Sequence, residues 1–356
     1  MNPIISRIVS AVLILSTART VFVFLSIVGL STPLFGQNRA QESTFTNPLL
    51  TAGADPWVLF KDGYYYYTNT TGRNLTLWRT KDFTSLTNAE KKVVWSPPAS
   101  GPNSKDIWAP ELHRLNGKWY LYYTATDREK PGDLNRYVFV LENEASNPLA
   151  GSWTDKGKLN TNYTGLDGSV FEHQGKTYFL YSGYVGPQSN LFIAEMINPW
   201  TISTKQVELA RPTLSWEKYD GREICEGPQF LKGKRGKLFI IYSASACWDD
   251  NYSLGMLTAA ETSNLLDPAS WTKSDQPVFA QSAAHNVFGP GHNCFTQSSD
   301  GQEDWIVYHA KTEANKACKD RTPRAQRFGW KADGSPDFGI PAAVGTPLQK
   351  PTSVAR

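Results

Sequence analysis

The chain is poor in the residues that metal clusters and redox centres require. Four cysteines occur in 356 residues, none in a Cys-x-x-Cys pair and none spaced with histidine in the manner of zinc ligands, which excludes a zinc module or a thioredoxin-like centre. An excess of one charge is missing too. The 36 Lys and Arg stand against 33 Asp and Glu, a net +3 with no basic stripe, so no nucleic-acid partner is expected. Helix-period patterning is scarce. A long unbroken apolar run is also lacking, because "VFVFLSIVGLSTPLFG" is interrupted by Ser, Thr and Pro and is short for a membrane span. With Arg7 and Arg19 ahead of it and "QNRAQEST" behind, it reads as a signal peptide within residues 1–40, cleaved near Gly36 or Ala40. An uncleaved N-terminal anchor is the alternative. Either way the body of the protein is expected to be secreted or periplasmic, with no membrane contact once the signal is removed.

Export makes disulfides durable. Cys225 and Cys247 flank one expected hairpin and Cys294 and Cys318 the next, which favours the pairs 225–247 and 294–318 among the three possible connectivities.

Aromatics are abundant, with 12 Trp, 16 Tyr and 17 Phe. Most suit strands of a β-rich core, and a minority left exposed would suit the flat apolar faces of sugars. Five segments align on their turn glycines: "ADPWVLFKDGYYYYTNT", "WAPELHRLNGKWYLYYTAT", "LDGSVFEHQGKTYFLYSG", "CEGPQFLKGKRGKLFIIYSA" and "GHNCFTQSSDGQEDWIVYHA". Each is a short apolar run, a turn, then an aromatic and β-branched run. Four of them continue into a third run ("LTLWRT", "RYVFVLEN", "NLFIAEMI", "YSLGMLTA"), and a weaker fourth strand is expected near Trp95, Trp153, Trp200 and Trp271. The pattern predicts an all-β chain: a single five-bladed β-propeller over residues 45–351, with four-stranded antiparallel blades around a central channel. A generic β-sandwich would leave the even spacing unexplained.

In such a fold the first strand of each blade lines the channel. The leading residues of the five segments are Asp55, Ala109, Asp167, Glu226 and His292, so three carboxylates and an imidazole are predicted around one opening. Carboxylates crowded in a partly buried pocket repel, and one can stay protonated while another is ionised. That division is what acid/base hydrolysis of a glycosidic bond uses. The competing use of the same groups is a hard cation such as Ca²⁺ on the axis, with His292 as its nearest ligand. Asp249 and Asp250 in "CWDDNYS" fall in a turn and are expected to be solvated.

The motifs "ADPWV", "WAPE", "LDGSVF", "CEGP", "GPGHN" and "RTPRAQRFGW", in this order from about Phe45 to Pro351, resemble glycoside hydrolase family 43. The resemblance implies an inverting hydrolase of arabinose- or xylose-containing polymers. It implies Asp55 as general base, Asp167 as the group that orients the acid and raises its pKa, and Glu226 as general acid, with base and acid roughly 6.5–9.5 Å apart. It further implies that His292 coordinates, directly or through water, an axial calcium or similar ion, with no cofactor needed for the chemistry, and that Arg321, or failing it Arg324, reaches the sugar. Trp57 and Trp108 are candidate stacking faces, core packing being the alternative for both, and Glu111 is expected to hydrogen-bond in the pocket wall. The runs "YSASA", "EDWIVYHA" and "PRAQRFGW" lean toward exo-acting α-L-arabinofuranosidases that trim 1,5-linked arabinan. The expected partner is therefore an arabinose-containing plant cell-wall polysaccharide or oligosaccharide, met by a monomer. An endo-1,5-α-L-arabinanase or β-xylosidase of the same fold is the alternative. A non-catalytic sugar-binding propeller is disfavoured, since no carboxylate of the ring is lost.

Overall fold

A computed structural model describes residues 43–353; the expected signal peptide lies outside them. The described residues form strands and short 3-10 turns, with no α-helix among them. The chain is all-β.

Five antiparallel units follow one another, and each opens with an inner strand: Ala54–Lys61, Lys105–Leu115, Gly165–His173, Arg222–Lys232 and Phe288–Gln297. Each inner strand pairs with a second strand across a tight turn. In the second unit the turn is Asn116–Gly117, both residues at positive φ (48° and 79°), as a two-residue hairpin with right-handed strand twist requires. The expected third strands are Leu75–Thr80, Tyr137–Asn143, Gln188–Asn198 and Ser253–Ala260, and the weaker fourth strands are Glu90–Trp95, Thr154–Lys158, Thr201–Ala210 and Thr272–Lys273. The fifth unit adds Asp304–Lys311, Thr322–Trp330 and the short Pro336–Asp337.

Five separate blades were expected; the sheets depart from this in one place. A short parallel pairing, Gln188↔Glu223 and Ser189↔Ile224, joins the third and fourth units into one nine-stranded sheet that also recruits Lys218–Tyr219. The stretch ahead of Cys225 thus pairs with Lys218–Tyr219 on one side and with the projecting third strand of the neighbouring unit on the other.

Most strands are buried on both faces, so their side chains pack between units. Five apolar clusters result. Leu77, Leu112 and Trp119 join the first unit to the second; Tyr122, Val140 and Phe179 join the second to the third. Leu180, Leu191 and Ile240 join the third to the fourth, and Phe239, Leu254 and Tyr308 the fourth to the fifth. The last cluster, with Val58, Tyr65, Trp305 and Val307, joins the fifth back to the first. Near the ends of the described chain Thr44–Phe45 pairs with Leu348–Gln349.

Candidate active site

Every inner strand breaks its register at the same place, between Ala54 and Trp57, Trp108 and Glu111, Leu166 and Ser169, Glu226 and Gln229, and in the fifth strand on both sides of Gly291. A bulge of this kind re-aims a side chain. At the matching place in each strand one residue is left-handed: Asp55 (φ 54°), Ala109 (43°), Asp167 (57°), Gly227 (56°) and His292 (45°); Asp106 (54°) and Gly289 (57°) are left-handed as well, in a further break of the second and fifth strands. Asp, His and Gly are types that tolerate this backbone region.

This register corrects the sequence alignment at one position. Glu226 is not the fourth member of the ring; Gly227 is. Glu226 pairs with Ser243 as Trp108 pairs with Thr124 and Leu166 with Ser182. Glu226 therefore occupies the wall beside Trp108 and Leu166, and all three line the cavity. The glycine is needed where it stands: a Cβ there would lie 3.1 Å from His292 Nδ1, on a backbone that side chains rarely adopt.

A second pattern fixes the ring. The second strand of one unit reaches the bulge amide of the next. Thr70 Oγ1 accepts from Ala109 N (2.7 Å), Thr124 Oγ1 from Asp167 N (3.1 Å), Ser243 Oγ from His292 N (2.7 Å), and His309 Nδ1 from Asp55 N (3.0 Å). Between the third and fourth units the pattern changes. Ser182 donates to Cys225 O instead, and Gly227 N–H donates to the Asp167 carboxylate, 2.9 Å from Oδ2.

The cavity above this ring, about 460 Å³, is lined by Asp55, Asp167, Glu226, His292, Trp108 and Arg321, among others. Its carboxyls sit in contrasting surroundings. Asp55 accepts from Arg321 Nη1 (2.9 Å) and from the Thr70 hydroxyl (2.5 Å). Burial alone would raise its pKa, but Arg321 and His292 outweigh burial and hold it well below the usual carboxylate range. His309, also buried, is pushed down to about 3 by desolvation with Arg321 beside it. It is neutral, and because its Nδ1 accepts the Asp55 amide its proton sits on Nε2.

Asp167 and Glu226 are both pushed upward, first by burial. For Asp167 the Glu226 and Asp55 charges add to this against His292 and the Gly227 amide. For Glu226 the Tyr252 hydroxyl, 2.7 Å from Oε1, and His292 oppose the rise. The two titrate as a pair that retains a proton where Asp55 is ionised. His292 Nδ1 lies 3.5 Å from Asp55 Oδ1 and 3.9 Å from Asp167 Oδ2. Burial lowers its pKa, but the three carboxylates pull it up on balance.

Among the described residues no three His, Cys, Asp or Glu side chains are disposed to hold a metal, and His292 Nδ1 is turned toward carboxylates rather than open space.

Of the other expected site residues, Trp108 and Arg321 line the cavity. Arg136 stacks 3.8 Å from the Trp108 ring centroid. Trp57 does not line it: its indole donates to Leu112 O (2.9 Å) and packs on His113, within the junction of the first two units. Glu111 is buried among protein groups, bonded to His113 and Gln229, and is likewise not at the cavity surface. Arg324 is fully buried and donates to Thr312 Oγ1, so it is no substitute for Arg321.

The cysteine pairing also differs from the expectation. Cys247 bonds Cys318, with Cα atoms 5.2 Å apart, while Cys225 and Cys294 are free and buried. Alternation along the strand explains this. Cys225 points away from the cavity into the junction of the third and fourth units, and Cys294 into that of the fifth and first. Only the two loop cysteines meet. Asp249 and Asp250 are structural rather than solvated: Asp249 accepts from Ser245 and Asn251, and Asp250 pairs with buried Lys311.

Thr70, Tyr252 and His309 were missed. A signal existed for three of the four capping residues: Thr124, Ser243 and His309 each follow a tyrosine at the same place in their repeats, as Ser182 does, whereas Thr70 follows Asn69. A second hollow of about 500 Å³ lies at the far ends of the first and fifth inner strands. Its one carboxylate, Asp300, is committed to Ser298 and Thr352.

Residues 45–336 match the model of the glycosyl hydrolases family 43. The chain is 42% identical over 341 residues to an extracellular exo-α-(1→5)-L-arabinofuranosidase of Streptomyces avermitilis, covering 91% of this chain and 70% of that protein. It is 40% identical over 320 residues to α-L-arabinofuranosidase 43 of Humicola insolens, with 86% of this chain and 65% of that one covered. The chain thus spans just under two thirds of the Humicola protein. A crystal structure of an α-L-arabinofuranosidase from Lactobacillus brevis superposes with a TM-score of 0.80 at 38% identity, over 86% of this chain and 99% of that one.

Proposed function

The chain belongs to glycosyl hydrolase family 43, and from that premise we propose that it is an exported exo-acting α-L-arabinofuranosidase. It releases terminal arabinofuranosyl units from arabinan or from other arabinose-containing polysaccharides and oligosaccharides, with inversion. In this reading residues 45–351 are one catalytic domain, a five-bladed β-propeller closed by the contact of the fifth unit with the first, and the segment before it is a signal for export.

The observation that carries the chemistry is the unequal treatment of carboxyls in one cavity. Asp55 is held ionised by Arg321 and the neighbouring donors, as a general base must be. It takes a proton from water, whose oxygen attacks the anomeric carbon. The Asp167–Glu226 pair keeps a proton. Glu226, on the cavity wall, passes it to the leaving oxygen; burial and the Asp55 charge keep Glu226 protonated until then, and Asp167, which accepts from the neighbouring Gly227 amide, orients the acid. Glu226 Oε1 is occupied by the Tyr252 hydroxyl, which leaves Oε2 as the atom that carries the proton. Inversion follows from base and acid acting in one displacement on opposite sides of the sugar.

The experiment is hydrolysis of 4-nitrophenyl α-L-arabinofuranoside and linear 1,5-arabinan by wild type and Glu226→Ala. Release of single arabinose by wild type, with a loss of about 10³-fold in the variant, supports the reading. Release of longer oligosaccharides alone replaces it with endo action. Turnover of β-xylosides only overturns the substrate while keeping the acids.

A further inference from the structure

Trp248 is the one tryptophan among the exposed large apolar residues, 42% accessible, and it lines the cavity. An indole in water forgoes the stabilisation of burial, and this one is not left to a slack loop. Its segment, Ser245 to Tyr252, is braced against the segment Thr312 to Arg321 by several independent ties. Cys247 is bonded to Cys318. The fully buried Lys311 ammonium bonds Trp248 O (3.3 Å), Lys316 O (3.2 Å) and Asp250 Oδ1 (2.7 Å). Asp250 Oδ2 accepts from Asn315 N (2.8 Å), and Asp249 folds the loop on itself through Ser245 (2.6 Å) and Asn251 (3.0 Å).

The brace is oriented relative to the acid. The same short segment ends in Tyr252, whose hydroxyl holds Glu226 Oε1. The wall that carries Trp248 is therefore the wall of the group that protonates the leaving oxygen, while the segment braced against it ends in Arg321, which bonds Cys318 O and Asp55. The sugar on the leaving side of the scissile bond passes beside this wall. An exposed indole offers it a flat apolar face, and the C–H face of a pentose ring is the complementary surface.

We propose that Trp248 is the stacking platform for the leaving-group pentose ring, and that the Cys247–Cys318 bond and Lys311 are the clamp that presents it. The proposal rests on the arabinofuranosidase reading and adds a preference for oligosaccharides over simple glycosides. An indole held rigid loses little freedom on binding, which favours the clamp over a mobile loop.

The test compares kcat/KM for linear α-1,5-arabinotriose with kcat/KM for methyl α-L-arabinofuranoside, whose leaving group has no ring. Trp248→Ala should lower this ratio about tenfold, the scale of one aromatic contact, and Trp248→Tyr should restore most of it. Rescue by an aromatic ring separates stacking from general disturbance of the loop. An unchanged ratio in Trp248→Ala, with wild type active on both substrates, overturns the platform. If wild type turns over neither substrate, the arabinofuranosidase reading has failed. Titration calorimetry of arabinotriose then decides the platform alone: about tenfold weaker binding by Trp248→Ala supports it, and no binding or equal affinity overturns it.

Discussion

Asp55 and Asp167 hold equivalent places on two inner strands, both left-handed and both with the backbone amide capped by the second strand of the preceding unit. Their side chains nevertheless meet opposite company. Asp55 faces Arg321, the Thr70 hydroxyl and the histidines. Asp167 faces a backbone amide, a histidine and the charge of a second carboxyl, Glu226. The same residue type in the same bulge is thus held ionised in one unit and pushed toward its protonated form in another. The repeat supplies position, and what neighbours each position decides protonation.

The comparison breaks most visibly in catalysis. Asp55→Asn and Glu226→Gln should each lower kcat by about 10³-fold, with different residual pH profiles. Asp55→Asn abolishes the acidic limb of kcat/KM, because that limb reports protonation of the base. Glu226→Gln abolishes the alkaline limb, where the acid pair loses its proton.

Removing the cation from one side sharpens the contrast. Arg321→Gln should move the acidic limb upward by about one pH unit, since the charge that keeps Asp55 ionised is gone. The alkaline limb should move far less. A pH series of kcat/KM checks both limbs in one variant, and a uniform fall at every pH would assign Arg321 to sugar binding instead.

The smallest effect is thermal and has opposite signs on the two sides. Asp55 has a depressed pKa, so its contribution to stability is present above the ordinary carboxylate range and lost as pH falls through its folded value. The raised pair stabilises only while protonated, and that contribution is lost as pH rises from the ordinary range through the folded values. At pH 7 Asp55→Asn should lower Tm by about 2 °C and Glu226→Gln should raise it by a similar amount. The gain should shrink toward pH 4. Differential scanning calorimetry across that range reads both signs.

Much of this was legible in the sequence, and the limits were geometric. Hairpin turns such as Asn116–Gly117 and the repeated aromatic runs announced five like units, because turn chemistry and strand alternation are local. Asp55, Asp167 and His292 fell at their ring places for the same reason. Glu226 was found but misplaced by one residue: "CEGP" does not say which of two neighbours carries the left-handed backbone, and only the pairing of Glu226 with Ser243 does. Trp57 beside Asp55 looked like a sugar face, yet whether an indole turns to the cavity or to the next unit is a property of the packed interface. The cysteines erred likewise. Flanking the same hairpin says nothing of which face of the strand a thiol occupies, and Cys225 and Cys294 face junctions between units.

The hand-over of amides from one unit to the next has a consequence for how the molecule comes apart. The N–H groups of Asp55, Ala109, Asp167 and His292 are each closed by a side chain of the preceding unit, so none can open to solvent while its neighbour stays docked. Such amides exchange with deuterium only when the ring as a whole gives way. Their protection is therefore expected to report global unfolding rather than local opening of the cavity floor.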